Sequence, residues 1–378
     1  MTLFSLGFRP FFLLAAAGGF IMMLVWILTL SLGYSWPGVE NIISWHRHEM
    51  LFGYTGAVIA GFLLTSVRNW TGKSTPEGKP LAALVIIWAA ARLAPLVSEQ
   101  QLLYVALDLL FWVGLFISLW HALISAAVRN RVFLLLVGLL GTAAALSHWS
   151  ILQPNNESLS YIGAYLGLDI ILIIMLIMGG RVIPFFIQRG LQRPAQARNP
   201  WLEKGLPPLL LTMLIINLLL ANTIWVAVIN FILAGWLLPN LWQWHDKGIW
   251  QKPLLWSLYL AYAWIILGLL LRGFGVLGWV SPYLGVHALT VGGIGLLTLS
   301  MMSRVGLGNT GRALEPARLT VIALGLMLAA AVVRVLLADS LGLLAYQISA
   351  VLWMLALLIF VVVYLPILTQ PRPDGKTG

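Results

Sequence analysis

The hydrophobic positions of the chain form long uninterrupted runs, separated by short polar breaks, from Phe11 to Pro366. A helix needs about 20 apolar residues to cross a bilayer, and lipid offers backbone groups no partners outside their own helix. The pattern therefore predicts an all-α polytopic membrane protein, with a break at Asn222 between the seventh and eighth spans. The twelve predicted spans cover residues 11–33, 47–67, 80–97, 102–125, 131–150, 161–184, 205–221, 223–241, 253–274, 283–303, 318–338 and 343–367.

Composition and charge give this membrane protein an orientation. Of its 378 residues 61% are hydrophobic and 9% are charged, and the mean hydropathy is +0.95. The Lys and Arg residues fall on one side of the predicted bundle, except for Arg47, Arg92, Arg272 and Arg334. Basic loops face the cytoplasm, which predicts that both termini lie inside. The net charge of +10 then fits anionic lipid as the neighbour and gives no reason to expect nucleic acid.

The chain also divides by composition. A basic, proline-bearing stretch at 188–204 is predicted to be a cytoplasmic linker between two halves of six helices, 1–187 and 205–370. No soluble domain is predicted, so both halves belong to one integral membrane domain. The tail 371–378 is expected to be disordered.

The first candidate site residues lie in the motif Trp45-His46-Arg47-His48-Glu49-Met50, at the start of the second predicted span. Imidazoles and carboxylates at the edge of a membrane span are costly unless they bind something. The predicted topology places four histidines on the outer side, namely His46, His48, His148 and His287. We interpret them, with Glu49, as a metal or haem site; the alternative is four separate, hydrogen-bonded histidines at helix ends. The chain has no cysteine, which excludes thiolate ligands.

A faint internal repeat connects two of these histidines. His48 is followed 23 residues later by Thr71, and His287 is followed 23 residues later by Thr310. A helix with an alanine run and an arginine comes next in both places. This pattern suggests parallel repeats, in which His48 and His287 would lie at equal depth and could clamp a planar macrocycle. Chance recurrence of small residues in apolar helices is the alternative.

Two arginines inside the outer helix ends need partners. Arg92 and Arg334 can pair with Asp108 and Asp169 as structural ion pairs. Alternatively these arginines, with Arg272, can bind haem propionates, because the guanidinium fork matches a carboxylate. The residues alone leave both interpretations open.

Several motifs carry a family resemblance. They are Phe8-Arg9-Pro10-Phe11-Phe12, Trp45-His46-Arg47-His48-Glu49-Met50-Leu51-Phe52-Gly53, Ala60-Gly61-Phe62-Leu63-Leu64-Thr65, Asn69-Trp70-Thr71-Gly72, Gly180-Arg181-Val182-Ile183-Pro184, Tyr262-Ala263-Trp264, and His287-Ala288-Leu289-Thr290 with Gly311-Arg312. Over nearly the whole chain the sequence resembles the NnrS family of haem- and copper-containing membrane proteins. The resemblance implies a bacterial inner-membrane protein of nitric oxide metabolism, denitrification and nitrosative stress resistance.

The sequence departs from the family pattern at two positions in the inner half. Asn309 stands where members usually have the His of Gly-His-Thr-Gly-Arg, and Tyr259 stands where a His tends to precede Tyr-x-Trp. The outer histidines are intact. The resemblance therefore implies haem b at the outer site, and it makes copper at the inner site doubtful.

The first functional hypothesis is a haem protein that binds or reduces nitric oxide, with an electron donor that the sequence does not identify. His48 and His287, the pair related by the repeat, would hold the iron. His46 and His48 point about 200° apart on a straight helix, so only one of them can be an axial ligand. His46 and His148 are the alternative or second-site ligands, and Arg92, Arg272 and Arg334 contact the cofactor. The predicted proton carriers of a nitric-oxide-reductase-like reaction are Glu49, Asp108 and Tyr283. The alternatives are a transporter with parallel repeats and a haem-based sensor or scaffold.

Overall fold

The computed structural model describes residues 2–153, 157–194, 199–221 and 223–375. These residues form helices and no strand, which confirms the all-α fold. Twelve of the described helices are long and apolar enough to cross a membrane, as predicted. They are α1 (Phe8–Leu32), α2 (Ile42–Thr71), α3 (Lys79–Val97), α4 (Gln101–Leu123), α5 (Val128–Ile151), α6 (Ser158–Leu191), α7 (Pro200–Leu219), α8 (Ile224–Trp244), α9 (Pro253–Val276), α10 (Pro282–Asn309), α11 (Arg318–Leu336) and α12 (Leu343–Thr369).

Two helix boundaries differ from the prediction for identifiable reasons. Helix α2 begins before the histidine motif because the Asn41 side chain caps it, accepting hydrogen bonds from the backbone N–H groups of Ile43 and Ser44 at 3.0 Å each. Helix α6 continues through Pro184, where the prediction ended it. Proline is tolerated inside membrane helices because neighbouring groups satisfy the freed carbonyl. Asn222, at the predicted break between α7 and α8, lies outside the described residues.

Two helices change from α to π geometry directly after a histidine. The π segment of α2 spans Glu49–Tyr54 and follows His48. The π segment of α10 spans Ala288–Gly295 and follows His287. Such segments add a residue to a turn and frequently occur at functional sites. Their shared position agrees with the parallel internal repeat, which stays a prediction.

The chain forms two compact units. Unit 1 consists of Met1–Ile171, Val305–Glu315 and Leu357–Gly378. Small residues bring its helices close together, as is usual in membrane bundles. An added Cβ on Gly61 of α2 would lie 2.9 Å from the Phe11 side chain of α1, and one on Gly163 of α6 would lie 2.4 Å from the backbone nitrogen of Ser147 in α5. The second contact fixes the end of α5 at which His148 stands.

Unit 2 consists of Leu172–Arg304 and Pro316–Ala356. Helices α9 and α10 pack closely here, since an added Cβ on Gly292 would lie 2.5 Å from the Trp264 ring. Two loops of this unit are joined at the surface, where Nε of Arg193 donates to Oδ2 of Asp246 at 2.9 Å.

The predicted linker and tail are only partly described. Residues 195–198 of the linker and 376–378 of the tail lie outside the described residues. The division of the chain at 188–204 and the disorder of 371–378 stay predictions.

Candidate metal centre

Seven polar side chains meet inside unit 1, where four helices each contribute residues from one end. They are His48 and Glu49 of α2, Arg92 of α3, Tyr104 and Asp108 of α4, and Ser147 and His148 of α5. All seven are buried, and the Glu49 and Asp108 side chains have no exposed surface. We refer to this set as the polar cluster. Burial of this many polar and charged groups requires that they satisfy one another or hold something.

Two imidazoles converge on one carboxylate oxygen at the centre of the cluster. Nε2 of His48 lies 3.2 Å from Oδ2 of Asp108, and Nε2 of His148 lies 3.0 Å from the same atom. The ligand atoms of the three residues all lie within 4.8 Å of one another. Ligands that sit about 2 Å from one metal ion are about 3 Å apart when adjacent, so these spacings fit a single ion.

Hydrogen bonds around His48 indicate which of its nitrogens carries the proton. Its Nδ1 lies 2.5 Å from Oγ of Ser147, and that hydroxyl donates to the carbonyl of Ala144 at 2.8 Å. With the Ser147 proton directed to Ala144, the hydroxyl accepts and Nδ1 of His48 is the donor. In the neutral ring Nε2 then carries a lone pair and faces the Asp108 carboxylate with no hydrogen bond between them. Two acceptors at this distance repel unless a metal ion or a second proton lies between them.

The charges of the cluster do not balance. Arg92 contacts both carboxylates: its Nε lies 3.0 Å from Oε2 of Glu49, and its Nη2 donates to Oδ1 of Asp108. The Arg92–Asp108 pair confirms one of the two partners predicted for this arginine. Two carboxylates face one guanidinium, so with both carboxylates ionised the buried cluster carries one excess negative charge, which favours a bound cation.

A cavity of about 110 Å³ connects the cluster with the surface of unit 1. Its inner wall includes His48, Tyr104 and His148, and its outer wall includes Asn41 and Glu157. Asn41 donates to Glu157 at 3.2 Å in an exposed position at the mouth. The cavity gives a small molecule a path to the convergent nitrogens.

Comparison with known proteins identifies the family. A sequence model described as NnrS protein matches residues 2–372. The chain belongs to the NnrS family. Membership confirms the resemblance and indicates a membrane protein related to nitric oxide. No curated protein matches the chain.

The NnrS family is associated with haem or metal, so the cluster can be tested for its fit to each. The rings of His48 and His148 lie side by side, with centroids 4.0 Å apart, whereas histidines on opposite faces of a haem have centroids roughly 6 Å apart. A porphyrin at Nε2 of His48 would also collide with Asp108, and Nδ1 is held by Ser147. The polar cluster therefore fits a single ion and does not fit a haem held by both histidines or by His48. A haem elsewhere in the NnrS protein stays a prediction.

The remaining predicted site residues lie apart from the polar cluster or in unit 2. The His46 ring stacks on Trp26 with centroids 4.2 Å apart, so the two histidines of the motif do face different surroundings. His287 and Arg334 contact each other in unit 2, at 3.1 Å between Nε2 and Nη2. Tyr283 is 64% exposed at the start of α10. Arg272 lies on α9, and its role as a cofactor contact stays a prediction.

The two positions that depart from the NnrS pattern belong to different units. The Tyr259 hydroxyl donates to the carbonyl of Leu241 at 3.1 Å in unit 2. The carbonyl of Asn309 in unit 1 accepts from Arg372 at 2.9 Å. Nothing in these contacts tests the copper prediction.

Two members of the cluster were missed at the sequence level. Tyr104 donates to Oε1 of Glu49 at 2.6 Å, although membrane tyrosines are more often expected at the lipid interface. Ser147 orients His48 and has no distinctive sequence pattern. A usable signal existed for Tyr104, because Arg92 and Tyr104 are 12 residues apart, as are Arg334 and Tyr346.

Proposed function

We propose that this NnrS protein binds nitric oxide at a metal ion held by His48, Asp108 and His148. The convergence of two imidazole nitrogens on one buried carboxylate oxygen carries the proposal. The facing acceptors of His48 and Asp108 and the surplus negative charge both support a cation at this point. The family's link with nitric oxide supports the substrate.

The ligand set supports iron as the metal. Two histidines and one carboxylate with open positions are typical of non-haem ferrous sites. Zinc accepts the same ligand set, and the family's link with nitric oxide, which binds to a redox metal, supports iron. When bound, such an ion supplies a coordination position for nitric oxide and can exchange an electron with it. This proposal replaces haem b at the outer site by a single iron ion.

The surrounding residues orient and isolate the ion. Arg92 holds Asp108 in place, and Ser147 fixes the His48 ring with Nε2 towards the centre. Tyr104 donates a hydrogen bond to Glu49 across 2.6 Å beside the cavity, which makes them the proposed proton carriers together with Asp108. Nitric oxide is small and uncharged, so it can reach the site through the cavity or from the lipid.

The proposed location is the bacterial inner membrane, with both termini in the cytoplasm. The one-sided distribution of Lys and Arg supports this orientation. The polar cluster would then lie near the periplasmic face.

Metal analysis of the purified protein tests the proposal. Iron, copper and zinc are measured by mass spectrometry in the full-length protein, in Asp108→Asn and in His148→Gln. His121→Gln is the matched control, because His121 is an exposed histidine at the end of α4. We expect about one iron per chain in the wild type and the control, and its loss in the two cluster variants.

Spectroscopy then separates the competing functions. We expect an iron signal in electron paramagnetic resonance that changes when nitric oxide is added, together with a negative pyridine haemochrome assay. A haem spectrum that the cluster variants abolish would restore the haem interpretation. A wild type without metal would contradict the proposal and favour a transporter.

A further inference from the structure

A buried guanidinium in unit 2 has no carboxylate partner among the described residues. Arg334, near the end of α11, is 7% exposed. Its Nη2 lies 3.1 Å from Nε2 of His287, and its guanidinium carbon lies 3.9 Å from the centroid of the Tyr346 ring. A hydrogen bond and a cation–π contact stabilise the group without neutralising its charge. A buried positive charge in a membrane protein favours an anion beside it.

The protonation of His287 does not supply that anion. Its Nδ1 lies 2.7 Å from the carbonyl oxygen of Tyr283, which can only accept, so Nδ1 carries the proton. Nε2 is then the acceptor for Arg334. His287 is neutral in this arrangement, and the net charge of the group stays positive.

The group around Arg334 resembles the polar cluster but lacks its two carboxylates. In both units a histidine directly precedes a π segment, and an arginine and a tyrosine follow 12 residues apart. In unit 1 the residue after His48 is Glu49, and the residue four after Tyr104 is Asp108. In unit 2 the corresponding residues are Ala288 and Ala350. Unit 2 thus keeps the cationic and aromatic groups and has alanine in place of both carboxylates.

We propose that His287, Arg334 and Tyr346 form a binding site for a planar monoanion with two or more oxygen atoms, such as nitrite, nitrate or a carboxylate. A guanidinium presents two parallel N–H groups to such an anion. Tyr346 lies against the face of the guanidinium, so an anion would bind at its edge. The rings of His287 and Tyr346 are partly exposed and Tyr283 is exposed, so an anion can enter from the surface of unit 2.

Calorimetric titration of the full-length protein tests the site. Nitrite, nitrate and acetate are titrated separately in a chloride-free sulfate buffer, so that an inorganic oxyanion is distinguished from a carboxylate. We expect saturable one-site binding of at least one of them. Arg334→Gln should weaken it at least tenfold. Arg318→Gln, which removes an exposed charge from the same helix, should leave it within twofold of the wild type.

A second variant keeps the test decisive if Arg334→Gln does not fold. Ala350→Asp places a carboxylate at the position that corresponds to Asp108, so it should abolish anion binding and raise the melting temperature. Asp108→Asn should bind the anion like the wild type, which separates this site from the metal centre. The proposal is overturned if the wild type binds none of the anions, if Ala350→Asp binds like the wild type, or if Asp108→Asn alone abolishes binding.

Discussion

Replacing Asp108 by Asn tests both the stability of the polar cluster and its metal. The substitution keeps the shape of the side chain and removes one negative charge from a position with no exposed surface. Breaking a buried ion pair costs about 3–5 kcal/mol, because the partner charge stays buried. Arg92 keeps its contact with Glu49 at 3.0 Å. We therefore expect a loss at the lower end of that range, about 3 kcal/mol of unfolding free energy.

The assay is unfolding in mixed detergent micelles, followed by tryptophan fluorescence, with iron measured in the same preparations. Asp339→Asn provides the matched control, since it makes the same chemical change at an exposed position and should shift stability by less than about 0.5 kcal/mol. The cluster variant should also lose its iron. Equal unfolding free energies and equal iron contents of the two variants would contradict a cation held by the excess charge of the cluster.

Three further predictions follow from individual contacts. Gly163→Ala should lower the free energy of unfolding by about 1–3 kcal/mol, because the added methyl group overpacks α6 against the α5 backbone. Gly180→Ala on the same helix is the control: an added Cβ there meets nothing within 4 Å, so it should be neutral in the same unfolding assay. Tyr104→Phe should cost about 1.5–3 kcal/mol, because Glu49 loses a buried hydrogen bond, and an equal effect of Tyr283→Phe at its exposed position would contradict this. The hydrogen bond from Arg193 holds the pKa of Asp246 below its usual value, so its stabilising contribution is lost only as pH falls through that lowered pKa. Arg193→Gln should raise this pKa, as measured by the pH titration of the Asp246 carboxyl carbon in nuclear magnetic resonance.

The sequence predicted the membrane helices and most of the polar cluster for the same physical reason. Charged and imidazole side chains are rare in apolar spans, so His48, Glu49, Arg92, Asp108 and His148 stood out individually. The alternation of helix direction then placed all five on one side of the bundle. These five residues could be singled out from the sequence because each is costly to bury without a partner.

The contacts among these side chains could not be predicted from the sequence. Repeat symmetry suggested His287 as the partner of His48, yet the contacts of His48 within unit 1 are with Asp108, Ser147 and His148. These contacts depend on how α2, α4 and α5 pack, which periodicity does not specify. The π segments were also missed, because one extra residue in a turn does not disturb a hydrophobic run. Asn41 is a typical N-cap residue, but hydropathy alone does not detect helix caps.

The placement of Arg92 and Asp108 has a consequence for how the chain enters the membrane. They lie on α3 and α4, which are consecutive and joined by residues 98–100 alone. An unpaired charged residue costs about 2.5–3.5 kcal/mol during insertion at the centre of a span and less towards its ends, where Arg92 and Asp108 lie. An α3–α4 hairpin can form this ion pair inside the insertion machinery, before either helix meets lipid. The two charges then enter the bilayer together, and His148, which is synthesised later with α5, completes the cluster after insertion.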